Sequence, residues 1–115
     1  KYENKNGLPL TGAGFIIKNA EGVDVGEYNT YMAFPPPHKL PDNASISWTL
    51  NEGILNSGTF LLKLFVCVDD KQQIDSIENA IQFTVNPCDI YGTGYSPSPS
   101  SGDIMLYPST IIDEL

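Results

Sequence analysis

Apolar residues are most concentrated in residues 58–68, which form the longest apolar run in the sequence. The run follows the turn signal Asn56–Gly58 and precedes the charged residues Asp69–Lys71. An apolar run rich in aromatic and β-branched residues and bounded by turns predicts a central β-strand rather than a helix. One face of this strand is uniformly apolar and is expected to lie on the core: Phe60, Leu62, Leu64, Val66 and Val68.

The second face of the same strand is mixed in character. It carries Thr59, Leu61, Lys63, Phe65 and Cys67. A central strand with solvent on this side would not ordinarily carry Phe65 there. This face is therefore a candidate surface for a ligand, and the alternative is that Phe65 contacts a covering loop or a dimer partner.

Shorter segments alternate between apolar and polar residues and predict the remaining strands. Asn19–Gly22 is a tight turn that pairs the first two of them, with Gly26 at a bulge. Ile74 and Ile77 are assigned to a short polar corner after the central strand. The predicted strands are residues 14–18, 23–31, 44–50, 79–86 and 102–107.

The expected core follows from the parity of these strands, and its members are Phe15, Ile17, Ile46, Trp48, Leu50, Ile81, Phe83 and Val85. Residues 87–101 form a long loop rich in Gly, Ser and Pro, with two tyrosines and no periodicity. The pattern predicts an all-β fold, an antiparallel immunoglobulin-like β-sandwich, in which residues 1–115 form a single domain.

Composition narrows the possible functions. The chain has 115 residues, ten glycines and nine prolines, which suits one turn-rich β domain. A formal net charge of −8 argues against nucleic acid or an anionic membrane as the partner. No apolar stretch is long enough to insert into a bilayer. Cys67 and Cys88 do not make a disulfide framework, and a cysteine within a strand is usually a small buried hydrophobe.

Residues with catalytic or metal-binding chemistry are sparse. The only histidine, His38, follows three prolines and has no second histidine or cysteine pair at zinc-ligand spacing. The sequence contains no G-x-S-x-G, P-loop or dinucleotide-binding motif. Asp69 and Asp70 are adjacent, so their side chains point apart and suit a solvated turn. We expect a binding or structural module that is not an enzyme and has no cofactor.

A set of ordered motifs spans residues 13–108. They are Gly14-Phe15-x-Ile17-x-Asn19-x-x-Gly22, Gly26 followed by Asn29-Thr30, Leu55-x-x-Gly58-x-Phe60-x-Leu62, Asn79-Ala80-x-x-Phe83-x-Val85 and Gly102-x-Ile104-x-Leu106-x-Pro108. In order and spacing, the chain resembles the C-terminal polysaccharide-binding domain of Wzt-type ABC-transporter ATPases, which export O-antigen. It departs from that family in lacking one or two strands before Gly14 and in its longer loop at 87–101, which leaves open whether the chain is a trimmed fragment.

The resemblance implies a domain that binds the non-reducing end of an O-antigen polysaccharide and couples this recognition to export. It also implies a homodimer that can exchange a terminal strand, and association with the ATPase and membrane subunits of the transporter. The domain would then be cytoplasmic and attached to the inner membrane through the transporter complex. Two alternatives stay open: a structural immunoglobulin-like or fibronectin-like module of a bacterial surface protein, and a carbohydrate-binding module of a glycan-modifying enzyme.

A sugar-binding site typically has an aromatic ring surrounded by amide, hydroxyl and charged groups. The mixed face of the central strand and its neighbour offer Lys63, Phe65, Gln82 and Thr84 as the floor of a glycan groove. Tyr91 and Tyr95 of the long loop are predicted to fold over that floor. Trp48 shares its parity with Ile46 and Leu50, so we assign it to the core.

Overall fold

The computed structural model describes residues 1–5, 7–68 and 72–114, and it is built almost entirely of β-strands. All strand pairs in the described residues are antiparallel, which confirms the predicted all-β class and is compatible with a sandwich. The strands are β1 (Tyr2–Glu3), β2 (Leu10–Asn19), β3 (Asp24–Asn29), β4 (Asn43–Ala44), β5 (Gly58–Val68) and β6 (Gln72–Val85). A four-residue helix, α1 (Thr30–Ala33), follows β3, and a single 3₁₀ turn covers Pro99–Ser101.

Four of the strands form one sheet in the order β3-β2-β5-β6. The predicted central strand is confirmed, because β5 has the expected bounds and pairs on both sides. The hairpin of β2 and β3 closes through Asn19, whose side-chain oxygen accepts hydrogen bonds from the backbone N–H groups of Glu21 and Val23, both at 3.0 Å. Gly22 follows with φ of +81°, a conformation that glycine adopts without strain.

The bulge predicted at Gly26 lies directly beside it. Ile17 pairs with Gly26 and Lys18 pairs with Asp24, which leaves Val25 as the extra residue. The bulge turns the Val25 side chain to the core side of the sheet, where it packs against the core. The strand predicted to continue to Tyr31 ends at Asn29, because the Asn29 side chain accepts from the Tyr31 and Met32 N–H groups and caps α1.

The core lies on the apolar face of β5, as predicted, but the assignment of Leu50 and Ile81 to it was wrong, because these side chains are 47% and 51% exposed. Phe15, Ile17 and Phe60 are buried there, and Phe60 stacks on Phe83 with ring centroids 5.7 Å apart. Trp48 packs against Phe15 in an edge-on arrangement at 5.2 Å. The half-buried apolar residues around this cluster are Val25, Trp48, Leu55, Leu62, Leu64, Phe83 and Val85.

The layer that covers this core is less regular than predicted. Of the expected strand at 44–50, only Ala44 lies in a strand, where β4 pairs with β1. The expected strand at 102–107 is reduced to one bridge, between Leu55 and Ile104. A strand is held by hydrogen bonds to a neighbouring strand along its length. In the described residues, each of these two segments pairs with such a neighbour over two residues at most. The immunoglobulin-like arrangement of two complete sheets therefore stays a prediction.

The segment after the central strand also differs from the prediction. β6 begins at Gln72, so Ile77 belongs to a long edge strand and not to a polar corner. The predicted turn at Asp69–Lys71 lies outside the described residues. Two register shifts in the β5–β6 ladder and the positive φ of Asn79 (+49°) show where the alternation is interrupted. Because of this interruption, the alternation of apolar and polar residues did not predict one continuous strand.

Candidate functional site

The structure places four of the predicted site residues on one face of the sheet. Thr84 pairs with Thr59, and Gln82 pairs with Leu61. Directly paired residues point to the same side of a sheet, so Gln82 and Thr84 share the face that carries Lys63 and Phe65. Gln82 and Thr84 are exposed, and this surface, which we call the Lys63 face, is mostly polar.

Phe65 is buried within the Lys63 face and is only 8% exposed. Its partner on β2 is Gly14, which has no side chain. A Cβ atom at Gly14 would lie 2.7 Å from the Phe65 Cζ atom and 2.6 Å from the Asn29 Cβ atom. The ring thus fills the space left by the glycine, and it offers little area on which a sugar could stack.

The cation of the Lys63 face is held by acidic neighbours. The Lys63 ammonium lies 3.2 Å from one carboxylate oxygen of Glu78, and the Lys18 ammonium lies 3.9 Å from the other. Lys18 also approaches Asp24 at 3.6 Å. These partly exposed pairs are individually weak, but together they keep the charges of this face engaged with one another.

The two loop tyrosines are not folded over the Lys63 face as a pair. The Tyr91 ring contacts the Tyr107 ring, and its hydroxyl donates to the Leu106 carbonyl. Leu106 follows the bridge between Ile104 and Leu55, and Leu55 packs on the opposite, core side of the sheet. Tyr95 is 63% exposed on the same loop. The structure therefore brings together Lys63, Phe65, Gln82 and Thr84, and it places Tyr91 elsewhere.

A deeper concavity lies on the core side of the sheet, beneath the N-terminal strand. This cavity, which we call the Trp48 groove, has a volume of about 600 Å³. Its aromatic and apolar lining includes Tyr2, Trp48 and Ile77, and its polar lining includes Asn4, Lys5 and Asp75. A cavity of this size with an apolar floor and a few polar groups has the composition expected of a small-molecule or glycan site.

Hydrogen bonds to Leu8, Pro41 and Asp42 hold the wall of the Trp48 groove in place. The Tyr2 hydroxyl donates to the Pro41 carbonyl at 2.7 Å. The Asn4 amide donates to the Leu8 carbonyl at 2.6 Å and to the Asp42 carboxylate at 3.0 Å. Together with the β1–β4 pairing, these bonds keep the N-terminal strand in the layer that covers the core side of the sheet.

Two features of the groove bear on ligand recognition. Burial, together with the nearby Asp42 carboxylate, raises the pKa of Tyr2, so its hydroxyl keeps its proton and its hydrogen bond to the Pro41 carbonyl. The Tyr2 oxygen can then accept a hydrogen bond from a ligand hydroxyl. Trp48 is half-buried, with its ring against Phe15 and part of its surface on the groove. The predicted contact of Trp48 with the core is confirmed, but parity alone did not show that the same ring also lines a cavity.

Sequence reasoning missed the groove because its wall comes from the short polar segment at the N-terminus. Tyr2 and Asn4 lie in a stretch without apolar alternation, which gave no signal of a folded element. The available signal was the only tryptophan of the chain, since its ring is larger than its neighbours and is rarely buried completely.

Within residues 1–5, 7–68 and 72–114, no three His, Cys, Asp or Glu side chains are grouped to hold a metal ion. Neither α1 nor any other described helix has the length and apolar character to cross a membrane. No protein-family profile matches the sequence, and comparison with curated proteins finds no significant similarity.

Proposed function

We propose that this chain is a non-catalytic carbohydrate-binding domain and that the Trp48 groove holds part of a polysaccharide. The supporting observation is the combination of an indole surface with amide, ammonium and carboxylate groups in one cavity of about 600 Å³. Pyranose rings present an apolar C–H side and a rim of hydroxyl groups, and this lining complements both. The motif resemblance favours an O-antigen type glycan, recognised at its non-reducing end.

The groove is preferred to the Lys63 face as the main site because of accessibility. Stacking on a sugar needs an exposed ring surface. Both Phe65 and Trp48 border the groove, but Phe65 is only 8% exposed whereas Trp48 is half-buried. The cation of the Lys63 face is engaged with Glu78, whereas the groove is concave and can surround a ligand. Gln82 and Thr84 stay predicted contacts for a glycan chain that extends over the sheet.

A titration monitored by tryptophan fluorescence tests this function. Trp48 is the only tryptophan, so any change in emission on adding purified O-antigen polysaccharide reports on the groove itself. We expect a saturable change with the polysaccharide and a stronger response to one terminal form, capped or uncapped. Tyr2→Ala removes a groove side chain and should weaken binding most, whereas Gln82→Ala, at a predicted contact of the extended chain on the Lys63 face, should weaken it less.

Two results would count against the proposed groove. A flat fluorescence trace, with no binding by calorimetry, would contradict the function. If Gln82→Ala abolished binding while Tyr2→Ala bound normally, the polysaccharide would occupy the Lys63 face and the groove would be dismissed.

The proposal includes a homodimer formed along β6. In the described residues β6 pairs only with β5, so its outer edge presents unpaired backbone groups over most of its length. Long edge strands with exposed apolar residues favour pairing with another chain, and Ile77 and Ile81 are both more than half exposed. A partner could exchange a terminal strand at this edge. Sedimentation velocity should show a dimer, and a single monomeric species at micromolar concentration would rule this out.

The wider role that we propose is coupling of glycan recognition to export. In that role the domain is carried by an ABC-transporter ATPase, contacts the membrane subunits only through that assembly, and lies in the cytoplasm at the inner membrane. Support comes from the ordered motifs over residues 13–108 and from the all-β fold. Co-purification of the full-length protein with a membrane transporter subunit from its host is the corresponding test.

A further inference from the structure

Tyr91 and Tyr107 are exposed aromatic residues whose rings contact each other. Their centroids lie 5.3 Å apart with an angle of 62° between the ring planes. Tyr91 is 41% exposed and Tyr107 is 60% exposed. The Tyr91 hydroxyl donates to the Leu106 carbonyl, and the Tyr107 hydroxyl donates to the Gly53 carbonyl at 2.6 Å. Both rings are therefore fixed at their outer ends while their surfaces stay open to solvent.

The backbone around the two rings is shaped to hold them. The Asp89 carboxylate accepts hydrogen bonds from the N–H groups of Thr93 at 3.0 Å and Gly94 at 2.8 Å, which closes the turn that carries Tyr91. Gly53 has φ of +76°, and a Cβ atom there would overlap the Tyr107 hydroxyl. Rings that are fixed before a ligand arrives lose little conformational entropy when it binds, which favours binding.

The chemistry of the recess beside these rings indicates the class of ligand. The cavity has a volume of about 480 Å³ and is lined by Tyr91, Leu106, Tyr107, Pro108 and Thr110. None of these side chains carries a charge at neutral pH, and both phenolic protons are already donated to backbone carbonyls. Ring faces and one threonine hydroxyl remain for contact, and the negative face of an aromatic ring attracts weakly positive C–H groups. A neutral sugar ring matches this surface, whereas an anion, which the negative ring faces repel, does not.

We propose that Tyr91 and Tyr107 form a second carbohydrate subsite, separate from the Trp48 groove, that stacks against a neutral pyranose ring. This inference rests on the proposed glycan-binding function and deepens it by adding a second point of attachment. The two linings share no residue. A polysaccharide carries many sugar rings, so a weak second contact raises the overall affinity through effective concentration.

The experiment combines NMR with a polysaccharide titration. Amide signals of the ¹⁵N-labelled chain are followed while methyl α-D-glucopyranoside, methyl α-D-galactopyranoside or methyl α-D-mannopyranoside is added at millimolar concentration. We expect at least one glycoside to shift the signals of Gly53, Gly92 and Tyr107. In the titration, Tyr107→Ala should weaken polysaccharide binding by about two- to tenfold, the range set by typical aromatic contacts. Tyr107→Phe keeps the ring and should retain more affinity than the alanine variant.

Tyr95→Ala is the matched control, since Tyr95 is as exposed as Tyr107, lies on the loop that carries Tyr91 and does not line the recess. Normal affinity in Tyr107→Ala, with no glycoside shifting the Gly53 and Tyr107 amides of the wild-type chain, overturns the subsite. If the Trp48 emission still responds to the polysaccharide in that case, the groove and the proposed function stand. If neither reporter responds to the polysaccharide, both proposals fail together.

Discussion

Replacing Ile77 by alanine separates ligand contact in the Trp48 groove from general effects on the fold. Ile77 lies on the edge strand β6 and lines the groove. Ile81 lies four residues further on, pairs with Leu62 just as Ile77 pairs with Leu64, and does not line the groove. The two isoleucines are 57% and 51% exposed, so they form a closely matched pair.

The expected size of the effect follows from these exposures. An isoleucine-to-alanine change removes three carbon atoms, each worth about 0.8 kcal/mol when it leaves water. With 57% of Ile77 exposed before binding, complete coverage by a ligand corresponds to about 1.4 kcal/mol, or about a tenfold rise in Kd. Partial coverage gives a smaller rise, so we expect Ile77→Ala to weaken binding by about three- to tenfold.

The assay is the Trp48 fluorescence titration, accompanied by thermal unfolding of each variant. Both variants should lose roughly the same stability, about 1 kcal/mol, because each side chain is about half buried in the fold. Ile77→Ala should weaken polysaccharide binding, and Ile81→Ala should not. Equal affinities in the two variants, or a larger loss in Ile81→Ala, would refute the placement of the ligand in the groove.

Three further predictions concern the fold itself. Phe60→Ala empties the most buried side-chain position and should lower the free energy of unfolding by about 3–5 kcal/mol in a denaturant titration; a loss below about 1 kcal/mol would contradict the assigned core. Asn56→Ala removes the hydrogen bonds that the Asn56 side-chain amide donates to the Ser98 and Gly102 carbonyls, both at 2.8 Å. It should lower the free energy of unfolding by about 1–3 kcal/mol and speed hydrogen exchange at the Ser101 and Gly102 amides, and unchanged exchange would contradict this. Burial raises the pKa of the Cys67 thiol, so at pH 8 less of it is thiolate and iodoacetamide should modify it far more slowly than the exposed Cys88; equal rates would contradict the burial.

The elements that the sequence predicted best are those with strict alternation and internal partners. The bounds of β5 are those of its apolar run, and Phe60 and Phe83 both point into the core as their parity indicated. In these strands burial on one face dominates the free energy, and the side-chain pattern records it directly. The same reasoning gave too long a strand at 44–50, where Ile46 and Trp48 alternate correctly but have no extended neighbour with which to pair.

Phe65 shows why the candidate site was harder to predict than the fold. Its parity correctly placed it on the mixed face, but its exposure depends on what lies opposite on the next strand. That residue is Gly14, and the pairing can be known only once the register between β2 and β5 is fixed. An aromatic ring beside a cross-strand glycine covers the exposed backbone, so a ring that suggested a ligand serves packing instead.

The two sides of the sheet therefore suit different tasks. On the Lys63 face the charged groups of Lys63, Lys18 and Glu78 satisfy one another, and the ring of Phe65 is buried beside Gly14 of β2. On the core side, the short N-terminal strand is tied to residues 41–44, leaving a cavity that Trp48 borders. A face whose charges are engaged with one another and whose aromatic ring is buried offers a sugar little to stack on, whereas the groove is concave and presents part of the Trp48 ring. Affinity for a glycan is consequently expected to depend on residues of the covering layer more than on residues of the central strand.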